Sequence, residues 1–244
     1  KKSPLLYDLA AVEILNKMDF DFTLINNNIS EISQRGWVIR SLLIDKTVRK
    51  FIQKYPKATI VNIGCGLDTT YERIDNSEIV WCDLDLPDVI ELRKRLLHEK
   101  SNRKHIASSF LDYQWFNELG KTDNLLFIAA GLLYYFEEQQ VREFLIRLAD
   151  SFPNSEIIFD ASSPIGIKMA NKMVIKNSGM DIDSVLKWGL KKAQEIESWD
   201  NRLQVLGEHV FFKSMKKGMK LKNIIAAFLS DYLRMQYLVH VRIR

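Results

Sequence analysis

Two glycines one residue apart, Gly64 and Gly66, follow a β-branched apolar run at 59–63, and an acid, Asp85, stands nineteen residues beyond the second of them. Ile60, Val61 and Ile63 read as a buried parallel strand. The glycines after it let the backbone turn sharply and approach a ligand with no Cβ in the way. Residues 79–84 read as a second strand, and an acid at its tip can accept hydrogen bonds from both hydroxyls of a ribose. A glycine pair after a strand is by itself equally an ordinary turn. The acid at this spacing makes it a nucleoside site.

What is missing narrows the nucleoside. A dinucleotide fingerprint has a third glycine three residues after the second, so that a helix can pack closely and aim its N-terminus at a pyrophosphate. Thr69 occupies that position, and no G-x-x-x-x-G-K-[ST] phosphate loop occurs anywhere in the chain. A cofactor with ribose and adenine but no phosphate fits these constraints, and S-adenosylmethionine is the cofactor expected.

Strands and helices must position this turn. Leu5, Leu6, Leu9, Val12, Leu15 and Met18 recur at helical spacing, and after a polar stretch a second helix is predicted over 34–54. The alternation that follows is strand 59–63, strand 79–84, helix 88–99, strand 104–108, helix 112–119, strand 124–130, helix 137–151 and strand 156–160. It predicts an α/β fold, a doubly wound and mostly parallel sheet, with the turn at the carboxyl edge where such sheets bind ligands. Residues 161–200, with Met169, Met173, Met180, Trp188 and Trp199, read as a mostly helical lid insertion. A basic helix over 213–229 and a closing strand add an edge to the sheet. One domain over 1–244, with helices in 1–55 ahead of the first strand, is the simplest division.

Composition excludes several classes. Lys and Arg number 35 against 31 Asp and Glu, and the dense group Lys213, Lys216, Lys217, Lys220 and Lys222 reads as a solvated helix face rather than a nucleic-acid patch. Cys65 and Cys82 read as small buried residues of a reduced compartment, and His98, His105, His209 and His240 fall at no metal-binding interval. The longest apolar run, 125–136, is too short to span a bilayer. The opening KKSPLL has no initiator Met, apolar leader or cleavage site, so a truncated, cytoplasmic protein is expected.

Five segments resemble one family. They are LLYDLAAVEILNKMDFDF at 5–22, VNIGCGLDTTYERI at 61–74, WCDLDLPDVIELRKRLL at 81–97, IAAGLLYYF at 128–136 and LKWGLKKAQEIESWDNRLQVL at 186–206. They resemble the leucine carboxyl methyltransferase family, in its branch of tetracenomycin polyketide O-methyltransferase-like proteins; G-x-G-x-D-T followed by D-L-P carries the resemblance. The resemblance implies a Rossmann-like class I methyltransferase fold. It implies that Arg40 holds the methionine carboxylate, a task suited to a guanidinium. It also implies that Asp85 binds the ribose, with Asp83 as the fallback, and that Gly64, Cys65, Gly66, Asp68, Leu86, Ser109, Phe110, Ala130 and Gly131 line the cofactor. Asp68 either orders the turn or caps the following helix. Two positions depart from the family: Ser109-Phe110 stands for an Asp-Leu pair near the adenine, and Ala130 for a Glu after the fourth strand. Serine can bond the adenine amine and phenylalanine can pack on its ring, but both carboxylates are gone.

The expected activity is methyl transfer to a carboxylate or hydroxyl of a small, hydrophobic, polyketide-like acceptor by a monomer or homodimer, with no nucleic-acid or membrane partner. A carboxylate acceptor needs no base; for a hydroxyl the candidates are His209, Tyr135 and Asp160. Three alternatives remain at this stage: methylation of a protein C-terminal carboxylate, a nicotinamide-dependent oxidoreductase, and a cofactor-binding protein without catalysis.

Overall fold

A computed structural model describes residues 4–23, 27, 29–74, 78–98, 100–120, 122–172, 185–213 and 218–244. The helices are α1 (Leu9–Lys17), α2 (Glu31–Lys54), α3 (Thr70–Ile74), α4 (Pro87–Leu96), α5 (Phe116–Leu119), α6 (Glu138–Ser151), α7 (Pro164–Ala170) and α8 (Leu221–Tyr232). The strands are β1 (Thr59–Ile63), β2 (Val80–Asp85), β3 (Arg103–Ala107), β4 (Leu125–Ala129), β5 (Glu156–Ala161), β6 (Leu203–Val210) and β7 (Tyr237–Ile243). They form one seven-stranded sheet in the order β3-β2-β1-β4-β5-β7-β6. The first five strands are parallel, and β7 runs antiparallel between β5 and β6.

Burial follows the period of two expected of a strand. Val61 and Ile63 face a core with Phe127, Phe159 and the Val141, Phe144, Leu145, Leu148 stripe of α6. Ile60, Leu126 and Ile158 face the opposite core with Ile39, Val48 and Phe51 of α2. Every residue of β1, β4 and β5 is buried, as in a sheet covered on both faces. The order in which strands are added reverses between the parallel β1 and β4, so their carboxyl ends open the crevice where such folds bind ligands.

Several boundaries differ from the sequence reading. The second helix starts at Glu31 because the Ser30 side chain accepts from the Ser33 amide, so the expected polar loop supplies an N-cap. The first begins at Leu9, capped by Asp8 through the Ala11 amide. A five-residue helix, α3, lies between β1 and β2 where none was expected. The predicted helix over 112–119 divides into a 3-10 turn, Tyr113–Trp115, and the short α5.

The basic helix expected over 213–229 is corrected. Helix α8 begins at Leu221, so Lys213 precedes it, Lys220 is its N-cap and Lys222 alone lies on it; Lys216 and Lys217 are outside the described residues. Its solvent side carries Leu221, Ile225, Leu229 and Tyr232, which are apolar rather than basic. In the 161–200 stretch the described helical parts are α7 and the 3-10 helix Ala193–Ser198. Trp188 is buried in the α6-side core, whereas Met169 is exposed. Met173 and Met180 fall outside the described residues.

Candidate cofactor site

The turn after β1 is left-handed at Gly64 (φ 62°) and Gly66 (φ 45°), a conformation that L side chains resist. A Cβ at Gly64 would stand 2.8 Å from Leu132 Cδ1, whereas one at Gly66 would meet nothing within 4 Å. The first glycine therefore serves close packing, and the second leaves open space beside the backbone. The Gly64 and Cys65 amides donate to the Leu84 carbonyl at 2.8 and 3.2 Å, which pins the turn to β2.

Asp85, half-buried at the end of β2, faces this turn. Its Oδ2 accepts from the Gly66 amide at 2.7 Å and its Oδ1 from the Leu86 amide at 2.8 Å. Each carboxylate oxygen retains a lone pair after these bonds, so a diol can still be received. Leu86 beside it is exposed.

Asp83 is excluded as a ribose ligand, because it is fully buried among cations. It accepts from Arg93 Nε at 3.0 Å, Arg103 Nε at 2.6 Å and Trp81 Nε1 at 2.9 Å. Arg93, also fully buried, extends Nη1 to the Gly66 carbonyl at 2.8 Å. One buried ion cluster thus orients the glycine turn. A cation on the otherwise apolar stripe Ile90, Arg93, Leu96 was the sequence signal for it, since a buried charge requires a partner.

Asp68 performs both of the tasks that were left open. Its Oδ2 accepts from the Thr70 amide at 3.0 Å at the start of α3 and from Asn62 Nδ2 at 3.2 Å across the turn. Thr69 donates its hydroxyl to Asp8 Oδ2 at 2.6 Å, and Arg73 reaches both Asp8 (2.7 Å) and Asp45 (2.9 Å). The cap of α1 is therefore fastened to the turn, a connection between residues 61 apart that no local spacing discloses.

Ser109 lies after β3, with its hydroxyl accepting from the Leu111 amide at 3.3 Å. Phe110 is buried, and its ring makes T-shaped contacts with Phe136 and Phe144 at 4.7 and 5.0 Å. The Cys65 side chain is likewise buried, and burial, then Asp83, pushes its thiol pKa up.

A second group of polar residues meets at the ends of β4 and β5. Asp160, buried completely, accepts from the Gly131 amide at 2.5 Å and from Arg40 Nη1 at 3.0 Å. A Cβ on Gly131 would stand 2.9 Å from Arg40 Nη1 and 3.5 Å from the Tyr134 hydroxyl. Burial opposes the charge on Arg40, but Asp160, then Tyr134, outweighs it and raises the Arg40 pKa. Burial, then Asp160, also raises Tyr135, which keeps that phenol protonated at neutral pH. Ala130 precedes Gly131 and packs against the α2-side core. His209 does not join this group: it is exposed on the edge strand β6, paired with Leu238, which in turn pairs with Asp160.

A cavity of about 510 Å³ lined by residues including Tyr7, Asp45, Lys46, Arg49 and Arg73 touches neither the glycines nor Asp85. Among the described residues no three His, Cys, Asp or Glu side chains are grouped to hold a metal, and no helix is long and apolar enough to cross a membrane.

Five parallel strands with an antiparallel β7 beside β5, a glycine turn at the switch point and an acid closing β2 define a Rossmann-like class I methyltransferase that uses S-adenosylmethionine. Magnesium protoporphyrin IX methyltransferase from Synechocystis PCC 6803, solved with S-adenosylhomocysteine, shares this fold: the TM-score is 0.57 at 10% identity, covering 96% of this chain and 94% of that one. The chain belongs to the leucine carboxyl methyltransferase family, whose model matches residues 2–149. It is 30% identical over 197 residues to the tetracenomycin polyketide synthesis O-methyltransferase of Streptomyces glaucescens, spanning 80% of this chain and 71% of that protein. It is also 24% identical over 214 residues to an S-adenosylmethionine-dependent methyltransferase of Gibberella zeae, spanning 80% and 72%. Membership of this family replaces the nicotinamide alternative.

Proposed function

We propose that this methyltransferase acts on an oxygen of a small hydrophobic acceptor of polyketide type, a carboxylate or a hydroxyl. The observation that carries this reading is the 30% identity, over most of the chain, to a polyketide O-methyltransferase.

The residues at the crevice suit the cofactor. The open space at Gly66 admits a nucleoside against the backbone, Asp85 receives the ribose hydroxyls, and Leu86 with Ser109 borders the adenine. Arg40 takes the methionine carboxylate beside Ala130 and Gly131. Cys65 contributes main chain only, since its side chain lies in the core.

S-adenosylmethionine, when bound, supplies a methyl group on a positively charged sulfur that leaves readily. The protein's share is to align the acceptor oxygen in line with that bond and exclude water. Asp160 is fully buried and paired with Arg40, away from any acceptor, and Tyr135 is a donor at neutral pH. Tyr135 therefore orients an acceptor by donating its hydroxyl proton. A carboxylate acceptor, needing no base, suits such a site better than a phenol does.

The test is transfer of labelled methyl to a panel of aromatic polyketide carboxylic acids, the corresponding phenols and a leucine-terminated peptide. Labelling of the polyketide compounds supports the proposal. Labelling of the peptide alone overturns the acceptor class.

A further inference from the structure

Asp160 is the penultimate residue of a strand that is buried along its whole length. A carboxylate there is costly unless paired, and removing one partner of a buried pair leaves a charge without compensation. This one is held by two bonds from different elements: Arg40 Nη1 of α2 at 3.0 Å and the Gly131 amide of the turn after β4 at 2.5 Å. The residues joined are 120 and 29 positions away in the chain. Asp160 is fully buried while the Arg40 side chain stays 22% exposed, so the pair points its cationic member outward. Tyr134 closes the other side, with its hydroxyl beside the position a Gly131 Cβ would take.

We propose that Asp160 is a positioning residue, which fixes the Arg40 guanidinium and the Gly131 amide so that Arg40 presents its outer nitrogens to the carboxylate of the cofactor's methionine end. The inference rests on the assignment of Arg40 above and extends it to a residue that never touches the ligand. A long arginine side chain otherwise samples many rotamers, and holding it by one charge-assisted bond pre-sets the fork that a carboxylate needs. The same carboxylate steadies the backbone at Gly131, so one group shapes both sides of that end of the crevice.

Two ligands separate positioning from general support of the fold. S-adenosylhomocysteine carries the amino-acid end, whereas 5′-methylthioadenosine keeps the nucleoside and the thioether but lacks that end. Calorimetric titration of the full chain should show that Asp160→Asn weakens S-adenosylhomocysteine about tenfold, the size of one lost charge-assisted bond, and leaves methylthioadenosine unchanged. Asp160→Glu keeps the charge but displaces it, and should give the same split in smaller measure; it also serves if the Asn variant does not fold.

Arg40→Met, titrated in parallel, distinguishes the two assignments. If it weakens only S-adenosylhomocysteine while the Asp160 variants bind both ligands as wild type, or lose both equally, Asp160 does not position Arg40. If Arg40→Met leaves S-adenosylhomocysteine binding intact, the Arg40 assignment fails and the inference with it.

Discussion

The guanidinium of Arg93 joins Asp83 to the carbonyl of Gly66: Nε lies 3.0 Å from Asp83 Oδ2 and Nη1 lies 2.8 Å from the Gly66 oxygen. Both charged side chains are fully buried. The second glycine of the turn is thereby braced from below by an ion pair, while its amide is held by Asp85 at 2.7 Å.

Arg93→Met should therefore reduce stability and loosen the turn together. Removing one member of a buried pair costs about 3–5 kcal/mol, partly offset here because Arg103 still accompanies Asp83. Denaturant unfolding should show this loss, and S-adenosylhomocysteine should bind more weakly even under conditions where the variant is folded. Unchanged stability would show that Arg103 alone satisfies Asp83.

Asp83 and Asp85 stand two residues apart on one strand yet should behave oppositely. Asp85→Asn should leave the melting temperature within a few degrees and weaken the cofactor product. Asp83→Asn should lower the melting temperature by several degrees, because about 3 kcal/mol shifts a domain of this size by roughly that amount. A variant of Asp83 that melts like wild type contradicts the buried-cluster reading.

The two thiols should be inert in the folded protein. Burial pushes Cys82 up to about 11 and raises Cys65 as well, with burial again the largest cause. At pH 8 a thiol of that pKa is thiolate in on the order of one part in a thousand, and both side chains are inaccessible. A chromogenic disulfide reagent should report no fast-reacting thiol until denaturant is added. Stoichiometric reaction of the native protein would contradict the packing of Cys65 inside the turn.

Stability should fall with mild acid. Burial lowers the pKa of His105 below its ordinary 6.5, reinforced by Arg103 and Arg93 against the pull of Asp83. Burial, then His240, lowers His209 in the same direction. The unfolded chain then binds more protons than the folded one as pH drops through 6.5, so unfolding is favoured over that window and down to the folded pKa values. Melting temperature should decline from pH 7 toward pH 5.5, and His105→Gln should flatten the decline. An identical slope in that variant would remove His105 from the account.

Much of the frame was legible because β1, β2, β4 and β5 are apolar runs closed by glycines or acids, and such runs announce strands without help from the rest of the chain. Helix α3 escaped because five residues hold too few turns to show a period. Asp85 was legible from its distance to Gly66, but Asp83 could be set aside only once Arg93 and Arg103 were seen around it. The direction of the Phe110 ring, and the meeting of Arg40 with Asp160, are products of packing between distant elements. Local spacing carries no record of either. The lysines at 213–222 show the reverse failure, where a charge run read locally as a helix face has Lys213 and Lys220 outside α8.

The central claim is that Asp85 and the Gly64–Gly66 turn hold the nucleoside of S-adenosylmethionine. Calorimetric titration of S-adenosylhomocysteine into the wild-type chain and into Asp85→Ala tests it most directly. We predict saturable binding at one site per chain, weakened at least about tenfold in the variant by loss of the charge-assisted ribose bonds. No binding to the folded wild type, or equal affinity in the folded variant, would contradict it.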